Sequence, residues 1–203
     1  MRLEDYRRFT IIIRGYNLQQ ADKIINVLRE YAQYFTVEIA LNTKDSLSML
    51  RFLSAKYGQK VFIGAGTVRT LEDAKAAVGA GAQFLLSPHG FTQSMLNYSK
   101  AEGILAIPGA MTPSEINEQF AMGADIVKIF PAATVGSQFF EAVQSPLGSL
   151  PLMAVGGVNA ANFKEFFNKG AAYVGIGGGM FEDLNIDAAS DAAIRELLKV
   201  YLK

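Results

Sequence analysis

Short apolar runs rich in β-branched and aromatic residues recur along the chain. They lie at Phe9–Arg14, Phe35–Asn42, Val61–Gly66, Gln83–Pro88, Ile104–Pro108, Asp125–Phe130, Leu152–Val155 and Tyr173–Gly177. Each is apolar on both faces or nearly so, the pattern of strands in a parallel sheet covered on both sides. Amphipathic stretches fill the intervals: Leu18–Tyr34, Lys44–Tyr57, Thr70–Ala80, Phe91–Glu102, Pro113–Met122, Ser137–Val143, Ala160–Lys169 and Asp187–Leu202. Boundary signals agree with them. Thr112-Pro113-Ser114-Glu115 supplies a capping threonine and a first-turn proline. Gly81, Gly103, Gly123 and Gly170 each follow a helix shortly before a strand, where a left-handed glycine turns the chain cheaply. The strict alternation, with no linker or low-complexity segment, predicts an α/β chain closed into a (β/α)8 TIM barrel, one domain over residues 1–203. An open doubly wound sheet is the competing architecture, and such sheets rarely repeat so evenly.

Composition narrows the chemistry. The 203 residues are few for this fold, which usually takes about 250. Lys+Arg and Asp+Glu balance at 19 each, so no basic excess points to nucleic acid or to a membrane surface. A bound anion must then be held by a local arrangement of groups. The absence of cysteine removes disulfides, thiolate catalysis and Cys-based metal sites, and the single histidine, His89, argues against a His-based zinc site or a Ser-His-Asp triad. The opening segment MRLEDYRRFT is polar, without a signal-peptide core. No apolar run reaches the roughly 18 residues needed to span a bilayer. The expectation is a cytoplasmic protein with neither a nucleic-acid nor a membrane partner.

Strand periodicity then sorts the charges. Alternate strand residues face opposite sides. In Phe35–Asn42, the apolar set Val37, Ile39 and Leu41 faces the helices, so Glu38 faces the barrel axis with Thr36, Ala40 and Asn42. In Asp125–Phe130, Val127 and Ile129 face the helices, so Lys128 points inward with Ile126 and Phe130. Arg14 ends the first strand on the same side as Ile12. Three charges, Arg14, Glu38 and Lys128, are thus predicted to converge on the barrel mouth, where catalytic groups of such barrels lie. A structural ion-pair cluster is one reading, though buried pairs add little stability. The sharper reading is a reactive amine beside a carboxylate. A lysine in apolar surroundings near another cation is easily deprotonated and attacks ketones to form imines, and a neighbouring carboxylate carries the protons.

Glycines crowd several strand ends: Gly64-Ala65-Gly66-Thr67, Gly156-Gly157 and Gly175-Ile176-Gly177-Gly178-Gly179. The last two follow the seventh and eighth strands, where backbone N–H groups of barrel enzymes hold phosphate. Tight turns alone are the plainer explanation. Neither run has the following helix and acidic residue of a dinucleotide fingerprint. Thr67 reads either as a carboxylate ligand or as a helix cap. His89, after Pro88, reads as a solvent-facing loop residue.

Val37-Glu38-Ile39-Ala40-Leu41-Asn42-Thr43, Ile63-Gly64-Ala65-Gly66-Thr67-Val68, Pro108 to Ile116 and Val127-Lys128-Ile129-Phe130-Pro131-Ala132 resemble the motif set of the KDPG/KHG aldolases. These are class I aldolases of 2-keto-3-deoxy-6-phospho sugar acids, and the resemblance runs from about Ile11 to Phe181. It implies that Lys128 forms the Schiff base and Glu38 transfers protons. Arg14 and Thr67 would bind the pyruvyl end, and Phe130 would pack on the imine. Gly156, Gly157, Gly177, Gly178 and Gly179 would bind phosphate, with Pro88 and Val155 completing the substrate contacts. The implied reaction cleaves a phosphorylated keto acid to pyruvate and glyceraldehyde 3-phosphate in a homotrimer, with no metal and no organic cofactor. Asn42 stands where an arginine is common, Val155 where a threonine is common, and the last glycine loop lacks a common serine. Arg14-Gly15, Leu41-Asn42 and Ala154-Val155-Gly156-Gly157-Val158 look more like the 2-dehydro-3-deoxy-6-phosphogalactonate branch, which cleaves the C4 epimer. The same chemistry on 4-hydroxy-2-oxoglutarate, and a non-catalytic sugar-phosphate or keto-acid binding barrel, are the alternatives.

Overall fold

The alternating runs close into a parallel β-barrel wrapped by helices in the computed structural model, which describes residues 2–181 and 183–202, with Gly179 described in its backbone alone. The strands are β1 (Phe9–Ile13), β2 (Phe35–Ala40), β3 (Ile63–Gly66), β4 (Phe84–Leu86), β5 (Leu105–Ile107), β6 (Gly109–Ala110), β7 (Val127–Ile129), β8 (Leu152–Val155) and β9 (Tyr173–Ile176). Their order is β5-β4-β3-β2-β1-β9-β8-β7-β6. The ends of that order are one strand interrupted at Pro108, which has no N–H to give to a ladder. On one flank Ser87 N–H donates to Ile107 O, and on the other Lys128 N–H donates to Pro108 O at 2.8 Å. The same segment therefore pairs on both sides and closes the barrel, leaving eight staves.

The helices are α1 (Leu18–Leu28), α2 (Ser46–Tyr57), α3 (Leu71–Gly79), α4 (Gln93–Ala101), α5 (Pro113–Ala121), α6 (Ala132–Val135), α7 (Gln138–Leu147), α8 (Phe163–Asn168) and α9 (Asp191–Val200). Thr112 caps α5, with Glu115 reaching back in a reciprocal capping box. The glycines at 81, 103, 123 and 170 all have positive φ, as their positions before the strands require. The single stretch predicted over Leu18–Tyr34 divides into α1 and a 3-10 turn, and the one-turn α6 directly after β7 has no strong pattern in so few residues.

Two apolar layers result. The larger lies between strands and helices and takes the outward set Val37, Ile39, Val127 and Ile129. The smaller fills the barrel itself with Tyr6, Ile12, Phe84, Leu86, Leu105, Ile107, Ile126, Met153 and Val155. Tyr6, from the segment ahead of β1, forms the floor. Its ring meets Phe84 and Tyr173 edge-on at 5.1 and 5.4 Å. Its hydroxyl shares a 2.8 Å hydrogen bond with Thr10, which shares one of 2.9 Å with Thr36. The phenol thus satisfies its polar tip while its ring plugs the barrel. We expect Tyr6→Phe to lose about 1 kcal/mol, one net hydrogen bond, and Tyr6→Ala to lose about 3 kcal/mol or more by opening a cavity. Urea unfolding midpoints of the two variants check this ordering.

Candidate active site

A cavity of about 370 Å³ opens at the C-terminal ends of β1, β7, β8 and β9. Arg14, Lys128, Phe130, Val155, Gly156, Gly157, Gly177 and Gly178 line it, all among the residues singled out from sequence, and Ile12, Val158, Asn159 and Gly175 join them. Three larger hollows, of about 570, 590 and 430 Å³, lie beside α9, at the starts of β5 and β7, and at the ends of α2 and α3. None contains an inward strand charge, so the smaller cavity is the chemical candidate.

Lys128 sits in the middle of β7 and is 2% exposed. Its amine stands 5.2 Å from the centre of the Phe130 ring, two residues further along the same inward face. Burial pulls the amine well below the ordinary lysine range; the Glu38 charge opposes this and the Arg14 charge adds to it. Glu38, in β2, is fully buried. Burial pushes its carboxyl above the usual range, against the charges of Lys128 and Arg14. Neither carboxyl oxygen has a hydrogen-bond partner among the described residues, so the pair interacts through space without direct contact. Arg14 is exposed at the rim, at the end of β1. The three charges therefore sit at different depths: Arg14 at the mouth, Lys128 on the wall and Glu38 beneath the surface.

Successive glycines make one wall. Gly156 and Gly157 have φ of 94° and 77°, a conformation that side chains rarely adopt. A Cβ at Gly156 would meet Pro131 and Phe130 at 3.1 and 3.2 Å, and one at Gly157 would meet Ala133 at 2.4 Å. Space and backbone thus both require glycine there. Gly177 and Gly178 border the same cavity with nothing near their Cα hydrogens. The Gly179 assignment lies outside what the structure describes at side-chain level. Asn159 is held by its own turn, its Oδ1 accepting from Ala161 N–H at 2.9 Å. No periodic signal marks a loop asparagine, so sequence reasoning passed over it. Ile12 was legible as an inward strand position, and Gly175 as part of the glycine-rich end of the last strand.

Three singled-out residues lie outside the cavity lining: the fully buried Glu38, Thr67 and Pro88. Thr67 is not in the cavity wall; it follows β3, where its hydroxyl donates to Asn42 Oδ1 at 3.4 Å. Its φ is 59°, a costly conformation for a β-branched residue. It is not the helix cap, a role filled by Thr70, which accepts from Asp73 N–H at 3.0 Å. Pro88 lies in an adjoining hollow of about 270 Å³ with His89, Gly109, Ala110 and Met111, separated from the cavity by the shared Phe130 ring. His89 is exposed, its Nδ1 2.8 Å from Gly90 O. Among the described residues no group of three or more His, Asp or Glu side chains is arranged to hold a metal, and no helix is long and apolar enough to cross a membrane.

Burying the Lys128 ammonium has a stability cost with a defined sign. Its folded-state proton affinity is below the ordinary value of 10.5, so the unfolded chain binds the extra proton and folding grows more favourable as pH rises toward 10.5. We expect Lys128→Met to be more stable than the parent at neutral pH, with the advantage shrinking at alkaline pH. Denaturant midpoints across that range provide the check.

The chain is similar to several known proteins. A family model described as KDPG and KHG aldolase matches residues 6–197. A probable 2-dehydro-3-deoxy-6-phosphogalactonate aldolase of Rhizobium meliloti is 28% identical over 177 residues, covering 87% of this chain and 82% of its own. A 2-dehydro-3-deoxy-6-phosphogalactonate aldolase of Escherichia coli is 29% identical over 171 residues, covering 84% of this chain and 82% of its own. A KDPG aldolase of Legionella pneumophila, solved with pyruvate captured as a covalent carbinolamine, superposes with a TM-score of 0.84 at 27% identity, over 96% of this chain and 94% of that one.

Proposed function

The chain belongs to the KDPG/KHG aldolase family, and from that premise we propose that it is a class I aldolase cleaving a 2-dehydro-3-deoxy-6-phospho sugar acid, the galactonate or gluconate form, to pyruvate and glyceraldehyde 3-phosphate. The observation that carries this reading is a buried, depressed-affinity amine at Lys128 facing a buried, partnerless carboxyl at Glu38, beside a glycine-walled cavity.

Lys128, as free amine, adds to the C2 ketone, and loss of water leaves an iminium. Glu38 takes the proton of the C4 hydroxyl, the C3–C4 bond breaks, and its electron pair flows into the iminium to give an enamine. Glyceraldehyde 3-phosphate departs with a new carbonyl at the former C4. Glu38 returns its proton to C3, and water hydrolyses the imine to pyruvate and free Lys128. A carboxyl whose proton affinity is raised by burial is suited to accept and return one proton. Arg14 at the rim holds the substrate carboxylate, and Thr67, after β3, orients the same group. Phe130 covers the imine face. The positive-φ pair Gly156 and Gly157, with Gly177 and Gly178 opposite, offers close backbone approach to the phosphate. Val155 presents methyl groups to the cavity beside the glycine wall, and that contact with the C4 region favours the galactonate epimer. The functional unit is a homotrimer in this reading.

Borohydride reduction in the presence of pyruvate is expected to fix a stable adduct on Lys128, located by peptide mass mapping. A folded protein without adduct would overturn the imine mechanism. Lys128→Ala is expected to abolish turnover, and Glu38→Gln to lower kcat by about 10²- to 10⁴-fold. Turnover of the two epimers, and of 4-hydroxy-2-oxoglutarate, separates the phosphorylated substrates from the shorter acid. Light scattering in solution is expected to give the mass of three chains.

A further inference from the structure

Strand β3 gives the barrel interior no side chain at two inward positions. Ile63 and Ala65 pack outward against the helices, so Gly64 and Gly66 face in. Neither glycine has a positive φ, so the demand at these positions is for space. A Cβ at Gly64 would come within 2.5 Å of the Phe84 ring. One at Gly66 would lie 1.4 Å from Glu38 Oε1, 2.0 Å from Cδ and 2.5 Å from Cγ. The end of the glutamate therefore lies across the bare backbone of the neighbouring strand.

The other flank is closed to it. The ladder places Ile12 of β1 level with Glu38, and Ile12 is buried in the barrel interior. Below lie Thr36 and Thr10, already paired with each other and with Tyr6. The carboxyl thus has two places to go: over Gly66, or toward the axis, where the Lys128 amine stands.

We propose that Gly66 is a positioning residue: by leaving the inner face of β3 bare, it holds the Glu38 carboxyl beside that strand and out of direct contact with Lys128. This rests on the reading of Lys128 as the imine-forming amine. A carboxylate in direct contact would hold the amine as ammonium, which has no lone pair for a ketone. Held aside, it still acts as a nearby charge and remains open to exchange protons with substrate. The charged and titratable groups facing Lys128 are Glu38 and Arg14. Those facing Glu38 are Lys128, Arg14 and, from the floor, Tyr6.

The test is the pH dependence of pyruvate-imine formation, read as borohydride-trapped adduct on Lys128, in the parent protein and in Gly66→Ala. The added methyl drives the carboxyl toward the amine and raises the amine's proton affinity. The expected profile moves alkaline by about one pH unit or more. Trapping on the acid side of the profile then falls about tenfold for each pH unit the profile moves and recovers at high pH. General damage to the site would instead lower trapping at every pH. A folded variant whose profile stays in place overturns the inference. Where Gly66→Ala does not fold, the double variant Gly66→Ala/Glu38→Ala decides, because the Glu38 atoms nearest the added methyl are gone. Recovery of a cooperative thermal transition in the double variant supports the inference, and its absence overturns it. Failure of the parent protein to form any adduct would overturn the imine reading, and this inference with it.

Discussion

Two opposite charges removed from water, Lys128 and Glu38, are the constraint on which this molecule turns. Both are almost fully buried, and the direct contact that usually compensates such burial is not made between them. Desolvation acts on them in opposite directions: it disfavours the ammonium and the carboxylate alike, lowering one proton affinity and raising the other. The two shifts thereby narrow the difference in proton affinity between amine and carboxyl. An ion pair in direct contact would be more stable and chemically inert. The separation of the two is as much a feature of the site as their proximity.

A barrel is suited to maintain that state because its interior is walled by strands on every side. Closure through the Pro108 segment leaves no open edge, and the Tyr6 floor seals one end with a ring and a satisfied hydroxyl. The apolar layer of Ile12, Phe84, Leu86, Ile107, Ile126 and Met153 keeps the lower barrel dry. Only the C-terminal mouth remains open, and there the lining changes to backbone: Gly156, Gly157, Gly177 and Gly178. The barrel therefore grades from an apolar floor, through a zone of buried charge, to a rim of glycines and one arginine.

Glycine has two distinct physical jobs in this gradient. At Gly156 and Gly157 it permits a backbone conformation that side chains resist. At Gly64 and Gly66 the backbone is ordinary strand, and what is required is the missing Cβ, because Phe84 and Glu38 occupy its place. In sequence the glycine-rich end of β3 reads as a binding loop or a tight turn, and Thr67 after it as a carboxylate ligand or a helix cap. In the folded barrel the strand is a recess for a neighbour's side chain, and the strained residue is the threonine.

Local periodicity was enough to place the strands, the helices other than the one-turn α6, and the inward direction of Arg14, Glu38 and Lys128. Each of these follows from a short repeat, two residues in a strand and 3.6 in a helix, which the apolar positions display directly. The glycine loops after the last strands were legible too, because a strand end shows where the period stops. How deep each charge sits, that Glu38 lies over Gly66, that Asn159 reaches the cavity and that Pro88 lies in an adjoining hollow emerged only in the folded barrel. These depend on the register and stagger between strands distant in the chain, which closure of the barrel imposes and no local pattern encodes.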